Sequence, residues 1–156
     1  DLRPKSRGHL ALKSADPRDP PLLQPNYLSC PDDLETLLAG VKTCRKILAA
    51  QAFDGYRGAE LFPGEAVRSD DALREFIRRR AETIYHPAGT CKMGHDALAV
   101  VDDQLRVHGL SGLRVVDASI MPTLIGGNTN APTIVIGERA ADLILAEQAQ
   151  PVAKAD

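Results

Sequence analysis

Five prolines between positions 17 and 31 (Pro17, Pro20, Pro21, Pro25 and Pro31) constrain this chain more than any other feature. Each fixes φ near −65° and removes a backbone donor, so the stretch cannot be a regular helix and is expected to be extended and irregular. The chain is thereby divided before any periodicity is counted. Ahead of the prolines, Arg7-Gly8-His9-Leu10-Ala11-Leu12-Lys13 roughly alternates in polarity, as a strand with one wet face does. Behind them, Leu34, Leu37, Leu38, Val41, Cys44 and Leu48 recur at helical spacing. Asp32, Asp33 and Glu35 stand at the end of that run where a helix dipole is positive. The spacing predicts a helix from Asp32 that stops near Phe53-Asp54-Gly55.

Residues 56–68 contain Gly58, Pro63 and Gly64 and are expected to be loop. A second helix is predicted from the Ser69-Asp70 cap, with Leu73, Phe76 and Ile77 facing inward. Arg78, Arg79 and Arg80 close it and complement its dipole on a solvated face. Residues 99–101 and 104–107 read as short strands or a hairpin around Asp102-Asp103. Leu113-Arg114-Val115-Val116-Asp117 reads as a buried strand ending in an acid. A last helix is predicted from Pro132 to Glu147, with proline tolerated in its first turn and with Ile136, Ala140, Leu143 and Ile144 inward. Residues 148–156 read as a frayed tail.

Net charge is −2, which gives no electrostatic case for nucleic acid or an anionic membrane. No apolar run approaches the ~18 residues of a spanning helix. Cys30, Cys44 and Cys91 are odd in number and widely spaced, so they are read as reduced thiols in a reducing, cytoplasmic setting. The chain opens on Asp1 rather than methionine, which reads as a piece of something longer. It contains no Gly-x-Ser-x-Gly elbow, no Gly-x-x-x-x-Gly-Lys loop and no Gly-x-Gly-x-x-Gly fingerprint, so a self-contained hydrolase, kinase or nicotinamide enzyme is poorly supported.

Two clusters carry unusual residues. In Tyr85-His86-Pro87-Ala88-Gly89-Thr90-Cys91-Lys92-Met93-Gly94 the proline bars continuation of a helix, so His86 is expected in a bend, where catalytic groups tend to sit. Taken alone, a histidine hydrogen-bonded under a loop is the simpler reading. His86, Cys91 and His95 are metal-ligand types, but no fourth ligand stands at a recognisable spacing, and no metal is expected. The second cluster, Gly126-Gly127-Asn128-Thr129-Asn130-Ala131-Pro132-Thr133, opens the last helix. Free amides there suit an anion or a polarised carbonyl, although plain capping is the simpler reading.

Taken in order, His86-Pro87-Ala88-Gly89-Thr90-Cys91-Lys92-Met93-Gly94, Leu113-Arg114-Val115-Val116-Asp117-Ala118-Ser119 and Gly127-Asn128-Thr129-Asn130-Ala131-Pro132-Thr133 resemble the C-terminal signature of the glucose–methanol–choline (GMC) oxidoreductases. Leu2-Arg3-Pro4-Lys5-Ser6-Arg7-Gly8 and Pro25-Asn26-Tyr27-Leu28 resemble the start of that family's C-terminal region.

The resemblance implies an α+β fold: the C-terminal substrate-binding part of such an enzyme plus the last strand and helix of its FAD domain. Residues 1–112 would form the substrate-binding region with the histidine loop, 113–147 the strand–loop–helix of the FAD domain, and 148–156 a tail. It implies FAD as cofactor and oxidation of a primary alcohol to an aldehyde by hydride transfer to flavin N5. His86 matches the base, Asn128 a second active-site position, and Tyr85 a residue lining the substrate cavity. Asp117 and Ala118 match backbone contacts to FAD, and Asn130, Pro132 and Thr133 the segment beside the isoalloxazine ring. An imidazole suits proton removal near neutrality, and an amide can donate to a developing alkoxide without becoming charged. The expected partners are a small alcohol, the absent N-terminal FAD-binding portion and, at the membrane periphery, an electron acceptor. Without that portion the isolated chain is expected neither to hold FAD nor to oxidise alcohols. Two other readings compete: a choline dehydrogenase, for which Tyr85 is the one obvious local aromatic face, and a free-standing binding module.

Overall fold

The computed structural model describes residues 1–149, and two compact units divide them between Thr83 and Ile84.

In the first unit, β1 (His9–Ala11) pairs antiparallel with β2 (Leu22–Gln24), His9 opposite Gln24 and Ala11 opposite Leu22. The proline-dense stretch, expected to be extended and irregular, therefore contains a short regular strand. The prolines flank it rather than interrupt it: Pro20, Pro21 and Pro25 lie outside Leu22–Gln24, whose amides remain available to the ladder. Gly8 sits where a Cβ would come within 2.2 Å of the Gln24 carbonyl oxygen, so only glycine fits that approach.

Helix α1 (Pro31–Leu48) begins with proline in its first turn and Asp32 and Asp33 at its positive end. It ends earlier than Phe53, and a single 3₁₀ turn, Gln51–Phe53, follows. The Arg57 guanidinium donates to the Leu48 carbonyl at 2.7 Å, satisfying a carbonyl that a longer helix would have used itself. Helix α2 (Asp70–Arg80) starts as expected, with the Ser69 hydroxyl accepting from the Ala72 amide at 3.2 Å. Leu34 and Leu38 from α1 and Leu73 and Ile77 from α2 form the buried centre. Phe76 and Val67 pack around it, half-buried. The 56–68 loop is pinned to α1 by Arg45, which makes a bidentate pair with Glu60 (2.9 and 3.0 Å) and donates to the carbonyls of Val67 and Gly64.

The second unit packs loops against α3 (Asn130–Gln148). Its core is Val101, Leu105, Ile120 and Ala140, with Ile136 and Leu143 beside them. The predicted inner face of the helix is thus the packed one, while Ile134, Val135 and Leu145 are exposed. The helix starts two residues before Pro132 and includes Gln148; of the expected tail, residues 150–156 lie outside the described residues. Val101 and Val107 face each other in an antiparallel bridge, and the Asp102 carboxylate accepts from the amides of Gln104 and Arg106 in the turn between them. The 113–117 stretch is not a buried strand. It makes one bridge, Arg106 to Arg114, flanked by the bonds Val107 N–H to Leu113 O and Val115 N–H to Leu105 O. Leu113 and Val116 remain 49% and 38% exposed, because nothing in this unit lies across their side of the chain.

Candidate functional site

All the residues singled out above for chemistry lie in the second unit, and the main chain does most of the work of assembling them. Tyr85 adopts φ of +62°, a left-handed conformation costing a bulky residue about 1–2 kcal/mol, and Pro87 restricts the backbone of His86 immediately after it. The following loop is then fixed by three backbone bonds. The amides of Gly89, Cys91 and Met93 donate to the carbonyls of Ala118, Ser119 and Ile120 at 3.4, 2.9 and 2.7 Å. Gly89 has φ of +85°, and a Cβ there would press on the Met121 carbonyl oxygen at 3.2 Å.

That ladder ties the histidine loop to the Asp117-Ala118 stretch. Asp117 is extended and exposed, and its carboxylate accepts from the Ser119 amide at 2.7 Å, capping a single 3₁₀ turn over Ala118–Ile120. Ala118 is half-buried, and its carbonyl is engaged by Gly89 and Met121.

The His86 ring reaches across to the start of α3. Its Nδ1 lies 2.8 Å from Thr129 Oγ1, and Thr129 is only 8% exposed. The Thr129 carbonyl accepts from both the amide (3.0 Å) and the hydroxyl (2.6 Å) of Thr133, so the first helical turn holds Thr129 in place. Thr133 therefore has a structural bond of its own. Asn128 and Asn130, on either side of Thr129, are exposed; Pro132 is half-buried; Tyr85 is 74% exposed. The fold thus brings His86 to within one residue of Asn128 and joins its loop to Asp117-Ala118. Nε2 of His86 makes no hydrogen bond among the described residues, which leaves one ring nitrogen to exchange a proton with something bound.

Thr129 was missed from sequence, because a threonine ahead of a helix reads as a cap. The signal lay in Thr129-Asn130-Ala131-Pro132: proline occupies the third helical position and removes one of the two amides that such a cap would bind.

The chain is similar to known proteins over nearly its whole length. A family model described as GMC oxidoreductase matches residues 4–137. An alcohol dehydrogenase (acceptor) of Pseudomonas putida is 57% identical over 145 residues, which are 93% of this chain and 26% of that protein. An oxygen-dependent choline dehydrogenase of Escherichia coli O127:H6 is 51% identical over 150 residues, 96% of this chain and 27% of its own length. Among solved structures, an FAD-dependent oxidoreductase from Chaetomium thermophilum superposes with a TM-score of 0.87 at 27% identity, over 96% of this chain and 26% of that one. The chain spans about a quarter of the length of the relatives it matches.

Proposed function

The chain belongs to the GMC oxidoreductase family, and from that premise we propose that the full-length protein carrying it is an FAD-dependent enzyme oxidising a primary alcohol to an aldehyde, with His86 as the base. The observation that carries this reading is the His86–Thr129 bond, which holds an imidazole beside Asn128 with its second nitrogen unengaged among the described residues.

The residues present suit a flavin. No acidic side chain stands in the first turn of α3 and no side chain caps it, so the positive end of a 19-residue helix is available to a group that gathers negative charge. Bound FAD would supply the acceptor for hydride at N5. His86 Nε2 takes the hydroxyl proton as the C–H bond yields its hydride and the carbonyl forms. The Asn128 amide donates to the alcohol oxygen as charge develops on it. Asp117, Ala118, Asn130, Pro132 and Thr133 are the residues we assign to the flavin side. The pyrophosphate would be held elsewhere in the protein, because this sequence has no glycine-rich fingerprint.

In the full-length protein we assign 1–112 to the substrate-binding region and 113–147 to the FAD domain, changing over at the turn where Gly109 and Gly112 both have positive φ. Tyr85 is an aromatic residue next to His86 of the type that recognises a quaternary ammonium, so choline is the second substrate to try. We place the protein in the cytoplasm, passing electrons to an acceptor at the membrane periphery. Among the described residues no helix is long and apolar enough to cross a membrane.

The test is anaerobic flavin reduction in the full-length protein. His86→Ala is expected to slow it by roughly 10²–10⁴ and Asn128→Ala by about 10². Wild-type rates in both variants would remove the proposed roles.

A further inference from the structure

The first unusual feature of Thr129 is what its hydroxyl does not do. A threonine at the residue preceding a helix ordinarily accepts from the amide of the second or third helical residue. Here the backbone of Thr129 is itself helical (φ −83°, ψ −9°) rather than extended, and its side chain makes no capping bond. The third helical residue is Pro132, which has no amide to give. The lone pairs of the hydroxyl are therefore not claimed by the helix it precedes. The hydroxyl lies instead 2.8 Å from His86 Nδ1, in a position only 8% exposed.

This geometry bears on which nitrogen of His86 carries the proton. A neutral histidine side chain free in water favours the Nε2–H form. In that form the nitrogen facing the substrate would present a proton, and it could not act as a base. The tautomer of a ring is set by the bond its other nitrogen makes. We propose that Thr129 is the positioning residue for His86: its hydroxyl accepts from Nδ1–H, fixes the ring orientation and the Nδ1–H tautomer, and so presents the Nε2 lone pair to the alcohol. The inference rests on the reading of His86 as base and adds to it the residue that makes His86 competent.

The experiment uses full-length protein labelled with 15N-histidine. Long-range 15N–1H spectra report the tautomer, and His86→Gln identifies the His86 signals by their loss. Wild type and Thr129→Ser are expected to show His86 as Nδ1–H. Thr129→Val, nearly isosteric and without the hydroxyl, is expected to shift the ring towards Nε2–H. Flavin reduction should fall about 5- to 10-fold in that variant, the worth of one net hydrogen bond. KM for the alcohol should be unchanged, and Thr129→Ser should restore the rate. Thr129→Ala removes the hydroxyl without demanding space, carries the same expectation, and replaces the valine variant if that one does not fold. A wild-type ring in the Nε2–H form overturns the proposal. So does an Nδ1–H ring at the wild-type rate in the variants lacking the hydroxyl. A rate untouched by His86→Gln would instead overturn the reading of His86 as base, while the tautomer comparison would still decide what Thr129 does to the ring.

Discussion

In residues 3–83 the loops are held by side chains. The Asp33 carboxylate takes the amides of Lys5 and Ser6 at 2.7 and 2.8 Å and the Ser6 hydroxyl as well. Arg45 grips Glu60 and two carbonyls, and Arg74 joins α2 to Glu35 of α1 with bonds of 2.7 and 3.0 Å. In residues 84–149 the histidine loop is fixed by main-chain bonds to residues 118–120, and the His86 ring is bonded to Thr129. A backbone ladder does not consume side chains. In the first unit, by contrast, Asp33 and Arg45 are occupied in holding the fold.

This contrast predicts that substitutions in the two regions fail differently. The largest effect belongs to the second. His86→Ala should lower flavin reduction by roughly 10²–10⁴ yet leave the urea midpoint of the full-length protein unchanged, since its one bond is to an otherwise well-held threonine. A lowered midpoint would mean the ring is structural. Next comes Leu73→Ala. This leucine is 1% exposed between α1 and α2, and its truncation should cost about 2–5 kcal/mol, read as lost hydrogen-exchange protection at Leu34, Leu38 and Ile77. Unaltered protection there would break the account of that core.

The smallest effect is electrostatic. Burial pushes the Asp33 carboxyl up, but the amides of Lys5 and Ser6 and the Ser6 hydroxyl more than offset it, and its pKa lies below the ordinary value. A carboxylate lowered on folding stabilises above its unfolded pKa of ~3.9, and that contribution is lost as pH falls through the folded value. Asp33→Asn should therefore cost about 1–2 kcal/mol at pH 7 and nothing further in acid. The wild type should lose its advantage below about pH 4. Equal acid sensitivity in both proteins, followed by urea midpoints, would show that the clasp contributes nothing.

The three helices were legible because burial repeats every three or four residues along them, and the Ser69 cap because its chemistry is local. β2 was hidden by its flanking prolines, and the end of α1 depends on Arg57, nine residues beyond Leu48. The 113–117 stretch has the composition of a buried strand, yet composition cannot say whether anything lies across it, and here Leu113 and Val116 stay open. At the site, the two loops stood out because proline and glycine punctuate them, and the resemblance to the GMC signature picked out His86 and Asn128 within them. Thr129 did not stand out, since its partner lies 43 residues away and only the fold brings them together.

The central claim, that this chain supplies the proton-accepting side of a flavin alcohol oxidation, is met most directly by anaerobic titration of the full-length protein with a primary alcohol, with choline in parallel. The expected result is a yellow protein whose flavin band bleaches as one aldehyde forms per flavin, with His86→Ala binding flavin equally but bleaching far more slowly. A full-length protein without flavin, a flavin band indifferent to both alcohols, or a His86→Ala variant that bleaches at the wild-type rate would contradict it.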